Sequence, residues 1–286
     1  MKLNRAGRVF AKKAMTGIAS RNSLLKKFAV HAVEPAIQQD VLSRKQVWQC
    51  CTPKSASTFL NKILSALWRE DVCSGPPVPY WRDRMQEPDP ISVYRCMSRS
   101  IKPYFSGHLH QKFNSYLFER FIKYQQEFRG GVIVQTRDVK DTVLSLKEMV
   151  DKTYQKERRL GGLWFVGVNS KWPEFSNEEK LAVVAASYTF WHFDFQRSWK
   201  NYSQRIEVDY ESVTTQTADV VREISKFFGI PKSSDQIDEA LGEVAGTAPE
   251  SRRFNRGVSG RGKKILPLRV QEMIGVIEGL MGGVRD

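Results

Sequence analysis

Apolar residues along this chain fall into short blocks whose period switches repeatedly between that of a buried strand and that of an amphipathic helix. Residues 47–51 (Val-Trp-Gln-Cys-Cys) make a compact run that stops at Thr52-Pro53, the pattern of a short buried strand. From Ser57 the period changes. Phe59, Leu60, Ile63, Leu64, Leu67 and Trp68 recur at helical spacing and predict a helix to about Arg69. Residues 101–109 predict a second strand and 115–128 a helix bearing Leu117, Phe118, Phe121 and Ile122. The β-branched run 131–136 predicts a central parallel strand, with Asp138 as N-cap of a helix to about Val150. Further helices are expected over 177–201, 217–228 and 267–281, and a fourth strand at 206–208.

Strands alternating with helices predict an α/β fold of three layers, a central parallel sheet of four or five strands covered on both faces. At 286 residues the chain can bury such a core without disulfides or metal. Prolines at 76, 77, 79, 88 and 90 mark the stretch 74–92 as a loop, and 151–177, rich in Lys, Arg, Gly and Trp, reads as a second one.

Charge sharpens the division into domains. Of the net +14, residues 1–33 contribute eight Lys/Arg and no acid, and residues 251–271 seven Lys/Arg and no acid; the remainder holds 30 basic against 31 acidic residues. Two basic blocks suit a solvated tail or a polyanionic ligand. Nucleic acid is not the expected partner, since no zinc-finger spacing or RNP-like aromatic motif is present. In 1–33 apolar residues are interleaved with Arg and Lys, so residues 1–45 are read as a basic arm or amphipathic helix, and 46–286 as the folded domain. The arm suits a surface, an interfacial membrane helix or a transit peptide; the first two are favoured. The four cysteines, 50, 51, 73 and 96, form no CxxC pair or metal pattern. A reducing, cytoplasmic setting fits them, with peripheral membrane contact through 1–33. No run is long enough to span a bilayer.

The candidate chemistry starts at Thr52-Pro53-Lys54-Ser55-Ala56-Ser57-Thr58-Phe59, which joins a buried strand to a helix. Such a turn presents backbone N–H groups and the positive end of a helix dipole to an anion, with Lys54 and the hydroxyls of Ser55, Ser57 and Thr58 alongside. It is not a Walker A loop, because GxxxxGK[ST] is absent. A polar turn whose hydroxyls merely cap the helix is the structural alternative. The segment resembles the phosphosulfate loop, about TYPKSGTTW, of sulfotransferases that use 3′-phosphoadenosine-5′-phosphosulfate (PAPS). The resemblance implies that Lys54, Ser55, Ala56, Ser57 and Thr58 hold the 5′-phosphosulfate and that Phe59 stacks on adenine. Ala56 replaces the family's usual glycine.

Three more segments follow in family order. Arg137 and, eight residues on, Ser145 stand where the family binds the 3′-phosphate, and a guanidinium at a strand's end suits bidentate phosphate contact. Val208-Asp209-Tyr210-Glu211 resembles the family's "YE" segment, making Tyr210 a candidate adenine contact. Residues 254–263 resemble its basic glycine loop, about RKGxxGxWK: Arg256, Gly257, Gly260 and Lys263 match, whereas Asn255 and Gly262 replace an arginine and a tryptophan. Ser106-Gly107-His108-Leu109-His110 resembles the "THL" segment that carries the family's base. That points to His108, with His110 two positions away, on the same face of an extended strand, as the other candidate.

The resemblance implies the P-loop nucleotide-kinase-like sulfotransferase fold and in-line transfer of a sulfuryl group from PAPS to a hydroxyl or amine acceptor, without metal. His108 would be the base and Lys54 the charge stabiliser. The acceptor could be a glycan, lipid or other small molecule; Arg158, Arg159 and exposed-looking Trp164 and Trp172 favour a carbohydrate or acidic one. The competing readings are a P-loop-type phosphotransferase and a non-catalytic nucleotide- or nucleic-acid-binding protein.

Overall fold

Five strands, β1 (Gln46–Cys51), β2 (Cys73–Ser74), β3 (Tyr104–Leu109), β4 (Gly131–Thr136) and β5 (Arg205–Asp209), pair in parallel in the order β2-β3-β1-β4-β5. The computed structural model describes residues 45–74, 97, 100–114, 130–157, 171–246 and 258–282. The basic arm at 1–44, the Pro-rich loop beyond Ser74, the helix expected at 115–128, and Arg158, Arg159 and Trp164 lie outside them.

β1 is central and buried at all six positions, which is why its sequence reads as a continuous run and not as an alternation. Its side chains serve two cores. Val47 joins Phe105 and Ile133 under α1 (Ser57–Leu67), α5 (Thr217–Phe227) and α6 (Ser234–Gly246). Trp48 and Cys50 face the other way, with Val132, Val134 and the Phe195 and Trp199 rings of α3 (Asn177–Trp199). Outside that layer α2 (Val139–Glu157), α3 and α8 (Leu268–Leu280) share a further cluster around Val143, Leu146, Tyr188 and Ile274. The short helices α4 (Tyr210–Thr215) and α7 (Arg261–Ile265) complete the described set. The layered α/β architecture expected from the sequence is therefore present. Among the described residues no helix is long and apolar enough to cross a membrane.

Two expectations fail in the second loop. α2 does not stop near Val150 but runs on to Glu157, so residues 151–157 are helical. Trp172, expected on the surface, lies in a 3-10 turn (Trp172–Glu174) and is 1% exposed. Its indole N–H donates to Asp151 at 2.9 Å, and Lys147 pairs with the same carboxylate at 2.8 Å. An amphipathic ring with its polar edge satisfied belongs inside, so Trp172 drops out of the acceptor surface.

The caps explain where the helices start. Asp138 accepts from the Asp141 amide at 2.9 Å, as its sequence position suggested, and Ser176 and Glu179 form a reciprocal capping box on α3. α1 is different. Its N-cap, Ala56, has φ 64° and offers no side-chain acceptor, and Lys54 has φ 64° as well. Two non-glycine residues in the left-handed region within three positions make this the strained turn among the described residues. The strain at Ala56 is roughly 1–2 kcal/mol, and glycine would lose about 0.5–1 kcal/mol to unfolded-state entropy. Ala56→Gly is therefore expected to be neutral or stabilising by about 1 kcal/mol in urea unfolding. A loss of about 1 kcal/mol or more would show that the alanine methyl contributes packing that outweighs its strain.

His192 of α3 is 2% exposed and shares a hydrogen bond with the Tyr188 hydroxyl through Nδ1 at 2.9 Å. Burial pushes its imidazole down from 6.5 to about 3, so it stays neutral when folded. The unfolded chain binds the proton more readily, and stability falls as pH drops below about 6.5, by about 1.4 kcal/mol per unit. Between about pH 7.5 and 5, wild type should lose about 2 kcal/mol more than His192→Asn does. Parallel pH profiles for the two proteins would contradict the buried neutral imidazole.

Candidate active site

The candidate anion loop follows the carboxyl end of β1, the central strand between β3 and β4, on the edge where open parallel sheets bind ligands. Two buried glutamines fix that loop to the sheet. Gln49 of β1 donates to the Gln135 side chain at 2.9 Å and to the Ser57 carbonyl at 3.2 Å; Gln135 of β4 donates to the Ser55 carbonyl at 2.5 Å. Ser55 is fully buried, and its hydroxyl turns inward to the Thr52 carbonyl at 2.7 Å. Ser55 therefore builds the loop through its backbone, while Lys54, Ala56, Thr58 and Phe59 are half-buried at its rim. No acid occupies the first turn of α1.

Arg137, one residue beyond β4, binds the four motifs into one place. Nη1 donates to the Lys54 carbonyl at 3.1 Å and Nη2 to the Val258 carbonyl at 3.4 Å. Its guanidinium lies 3.8 Å from the centroid of the Tyr210 ring. Asp141, one turn into α2, is 3.7 Å from Nη2. The side chain is only 5% exposed, and Nε is buried without a hydrogen-bond partner. A buried cation with one donor to spare is suited to an incoming anion. Tyr210 itself is 3% exposed; burial raises its phenol, with the neighbouring Arg137 working against that.

The end of the basic glycine loop folds over the same helix. Asp141 accepts from the Gly260 amide at 2.8 Å and the Gly262 amide at 2.5 Å, Glu148 from Arg261 at 2.5 Å, and Glu211 from Ser259 at 2.6 Å. Ser145, 1% exposed, lies between Asp141 and Glu148 on the same helical face and hence beneath this loop. Arg256 and Gly257 lie outside the described residues.

The histidines are positioned by a bulge. Val47 pairs with Phe105 but Gln49 with His108, so β3 carries one extra residue, and Gly107 takes φ 69° there. The Ser106 hydroxyl fills the gap by accepting from the Gln49 amide at 3.1 Å. The extra residue reverses the alternation. Tyr104 and Leu109 share one core face, and His108 and His110 face the other way with Phe105, their rings 5.9 Å apart. His110 Nδ1 is 2.8 Å from the Cys51 carbonyl, which requires the proton on Nδ1 and leaves Nε2 as the lone-pair nitrogen. Desolvation pushes this imidazole down to about 4. Burial also raises the Cys51 thiol to about 12 and the Cys50 thiol well up, so both remain protonated, as small buried hydrophobes do.

Sequence reasoning missed Gln49, Gln135 and Asp141. The glutamines were legible as single amides inside otherwise apolar strand runs, a pattern that demands a buried partner.

No family model and no curated protein sequence matches this chain. Among solved structures it is similar to the mouse sulfotransferase SULT7A1 complexed with PAP, at 15% identity over 87% of this chain and 90% of that one, TM-score 0.58. Retinol dehydratase complexed with retinol and PAP matches at 13% identity, 88% and 87% coverage and TM-score 0.49. The sulfotransferase domain from the curacin biosynthetic pathway matches at 11%, 85% and 99%, with TM-score 0.46. With its five parallel strands and flanking helices in common with the mouse enzyme over most of both chains, this chain has the sulfotransferase fold.

Proposed function

We propose that the protein transfers a sulfuryl group from PAPS to a hydroxyl acceptor. The observation that carries this reading is the meeting at Arg137 of the strand–helix anion loop, the start of α2, Tyr210 and the glycine loop. The fold match, to a sulfotransferase solved with PAP, supports it. In the reaction an acceptor oxygen forms a bond to sulfur as the bond from sulfur to the bridging 5′-phosphate oxygen breaks, and the acceptor's proton passes to a base. Loop amides at the start of α1 and Lys54 would stabilise the charge that develops on the departing phosphate. Arg137 Nε and Ser145 would hold the 3′-phosphate, and Phe59 would stack on the adenine.

For the base, His110 is fixed by the Cys51 carbonyl and its basicity lies far below neutral pH, where a general base works poorly. That leaves His108 for proton transfer and gives His110 an orienting and acceptor-binding part.

Two experiments test the reading. Wild type should bind 3′,5′-adenosine bisphosphate far better than 5′-AMP in calorimetry, and Arg137→Ala should shrink that gap by roughly 1.5–3 kcal/mol. Equal binding of the two nucleotides by wild type would sink the PAPS assignment.

In assays with labelled PAPS and a panel of acceptor alcohols, His108→Ala should lose at least roughly 100-fold in turnover. His110→Ala should act mainly on acceptor KM. The reverse ranking, or an acid limb near pH 4 in wild type, would make His110 the base.

A further inference from the structure

Asp141 is the third residue of α2 and is 1% exposed, yet its carboxylate does not turn back to cap its own helix. Its two oxygens reach across 119 and 121 residues of chain to the Gly260 and Gly262 amides, at 2.8 and 2.5 Å. The approach is possible only because residue 262 has no side chain: a Cβ there would stand 2.3 Å from the Lys140 carbonyl carbon and 2.5 Å from the Asp141 amide nitrogen. Gly260 sits at φ 75°, so the turn that aims both amides at one carboxylate also depends on glycine. The loop's other ties are the Val258 carbonyl to Arg137 Nη2 at 3.4 Å, the partly exposed Arg261–Glu148 pair and the exposed Ser259–Glu211 bond. Charge-assisted bonds to a buried carboxylate are the strong ones. The same carboxylate stands 3.7 Å from Arg137 Nη2.

We propose that Asp141 is a positioning residue for the 3′-phosphate pocket. Its carboxylate clamps the 258–262 loop onto α2 and steadies the Nη edge of Arg137, so that the loop and the guanidinium present one preformed surface to the donor's 3′-phosphate. The proposal rests on the PAPS reading above. It also accounts for Gly262 standing where related loops carry tryptophan: a bulky residue could not let the backbone approach the carboxylate.

The test uses the full chain with Asp141→Ala, Asp141→Asn and Gly262→Ala, which break one contact from either side. Amide hydrogen exchange at Gly260 and Gly262 should accelerate at least ~10-fold in Asp141→Ala and Gly262→Ala. The ratio of affinities for 3′,5′-adenosine bisphosphate over 5′-AMP should fall at least ~10-fold while 5′-AMP binding holds, and Asp141→Asn should fall between. Affinities for both nucleotides dropping in proportion would make Asp141 merely structural and overturn the proposal, as would faster exchange with an unchanged ratio. If Asp141→Ala does not fold, Gly262→Ala and Asp141→Asn decide the same question. Equal binding of both nucleotides by wild type would remove the 3′-phosphate itself; the exchange measurement would still decide whether Asp141 holds the loop.

Discussion

A guanidinium buried to 5% exposure must be surrounded by groups that replace its water, and that requirement organises this molecule. Arg137 meets it with two carbonyls, one aromatic face and one carboxylate, contributed by four segments that are far apart in sequence. None of these partners alone would compensate the desolvation. Together they fix where the β1–α1 loop, the start of α2, the end of β5 and the glycine loop stand relative to one another. The arrangement leaves Nε without a hydrogen-bond partner, so the cation's satisfaction is incomplete.

The sheet prepares this meeting by placing polar groups at its carboxyl edge. Gln49 and Gln135 lie buried in largely apolar strands, bond to each other, and donate to carbonyls of the anion loop. A loop held through its carbonyls has its amide groups facing outward, which is the polarity an anion site needs. On the neighbouring strand one inserted residue, Gly107, turns two histidines to the same side as that loop. Strand chemistry and loop chemistry therefore reach the same end of the molecule through backbone geometry, before any side-chain rotamer is considered.

Much of this was legible in the sequence, and what was not has identifiable causes. The strand 131–136 and the long helix of 177–199 were clear because burial on both faces, or a wide apolar stripe, leaves an unambiguous period. α6 went unread although Ser233 and Gln236 form a reciprocal cap and Ile237, Ala240 and Val244 recur at helical spacing. Its acidic, weakly apolar composition hid the stripe. Trp172 was misplaced because an indole among Lys, Gly and Glu looks exposed until Asp151, on a helix extended by two turns, is found as its partner. In the site, Lys54, Tyr210 and Val258, each from a separate local motif, meet at Arg137, while Arg256 and Gly257 lie outside the described residues. Asp141 escaped notice because its role is a contact across 121 residues, which no local pattern encodes.

Two of the loop positions where this chain departs from the pattern it resembles, Ala56 and Gly262, have opposite physical consequences. Residue 56 carries a Cβ on a backbone in the left-handed region that favours glycine; residue 262 carries none where the resembled pattern has tryptophan. Strain at Ala56 can persist because the turn is over-determined: Gln135 holds the Ser55 carbonyl, Arg137 the Lys54 carbonyl, and α1 begins immediately after. The loss of bulk at Gly262 is compensated by backbone, since its amide reaches a buried carboxylate that no larger residue could approach. Both changes shift the burden from side-chain packing to hydrogen bonds centred on the first turn of α2. The relative placement of the β1–α1 loop and the glycine loop therefore depends on Arg137 and Asp141 keeping their geometry.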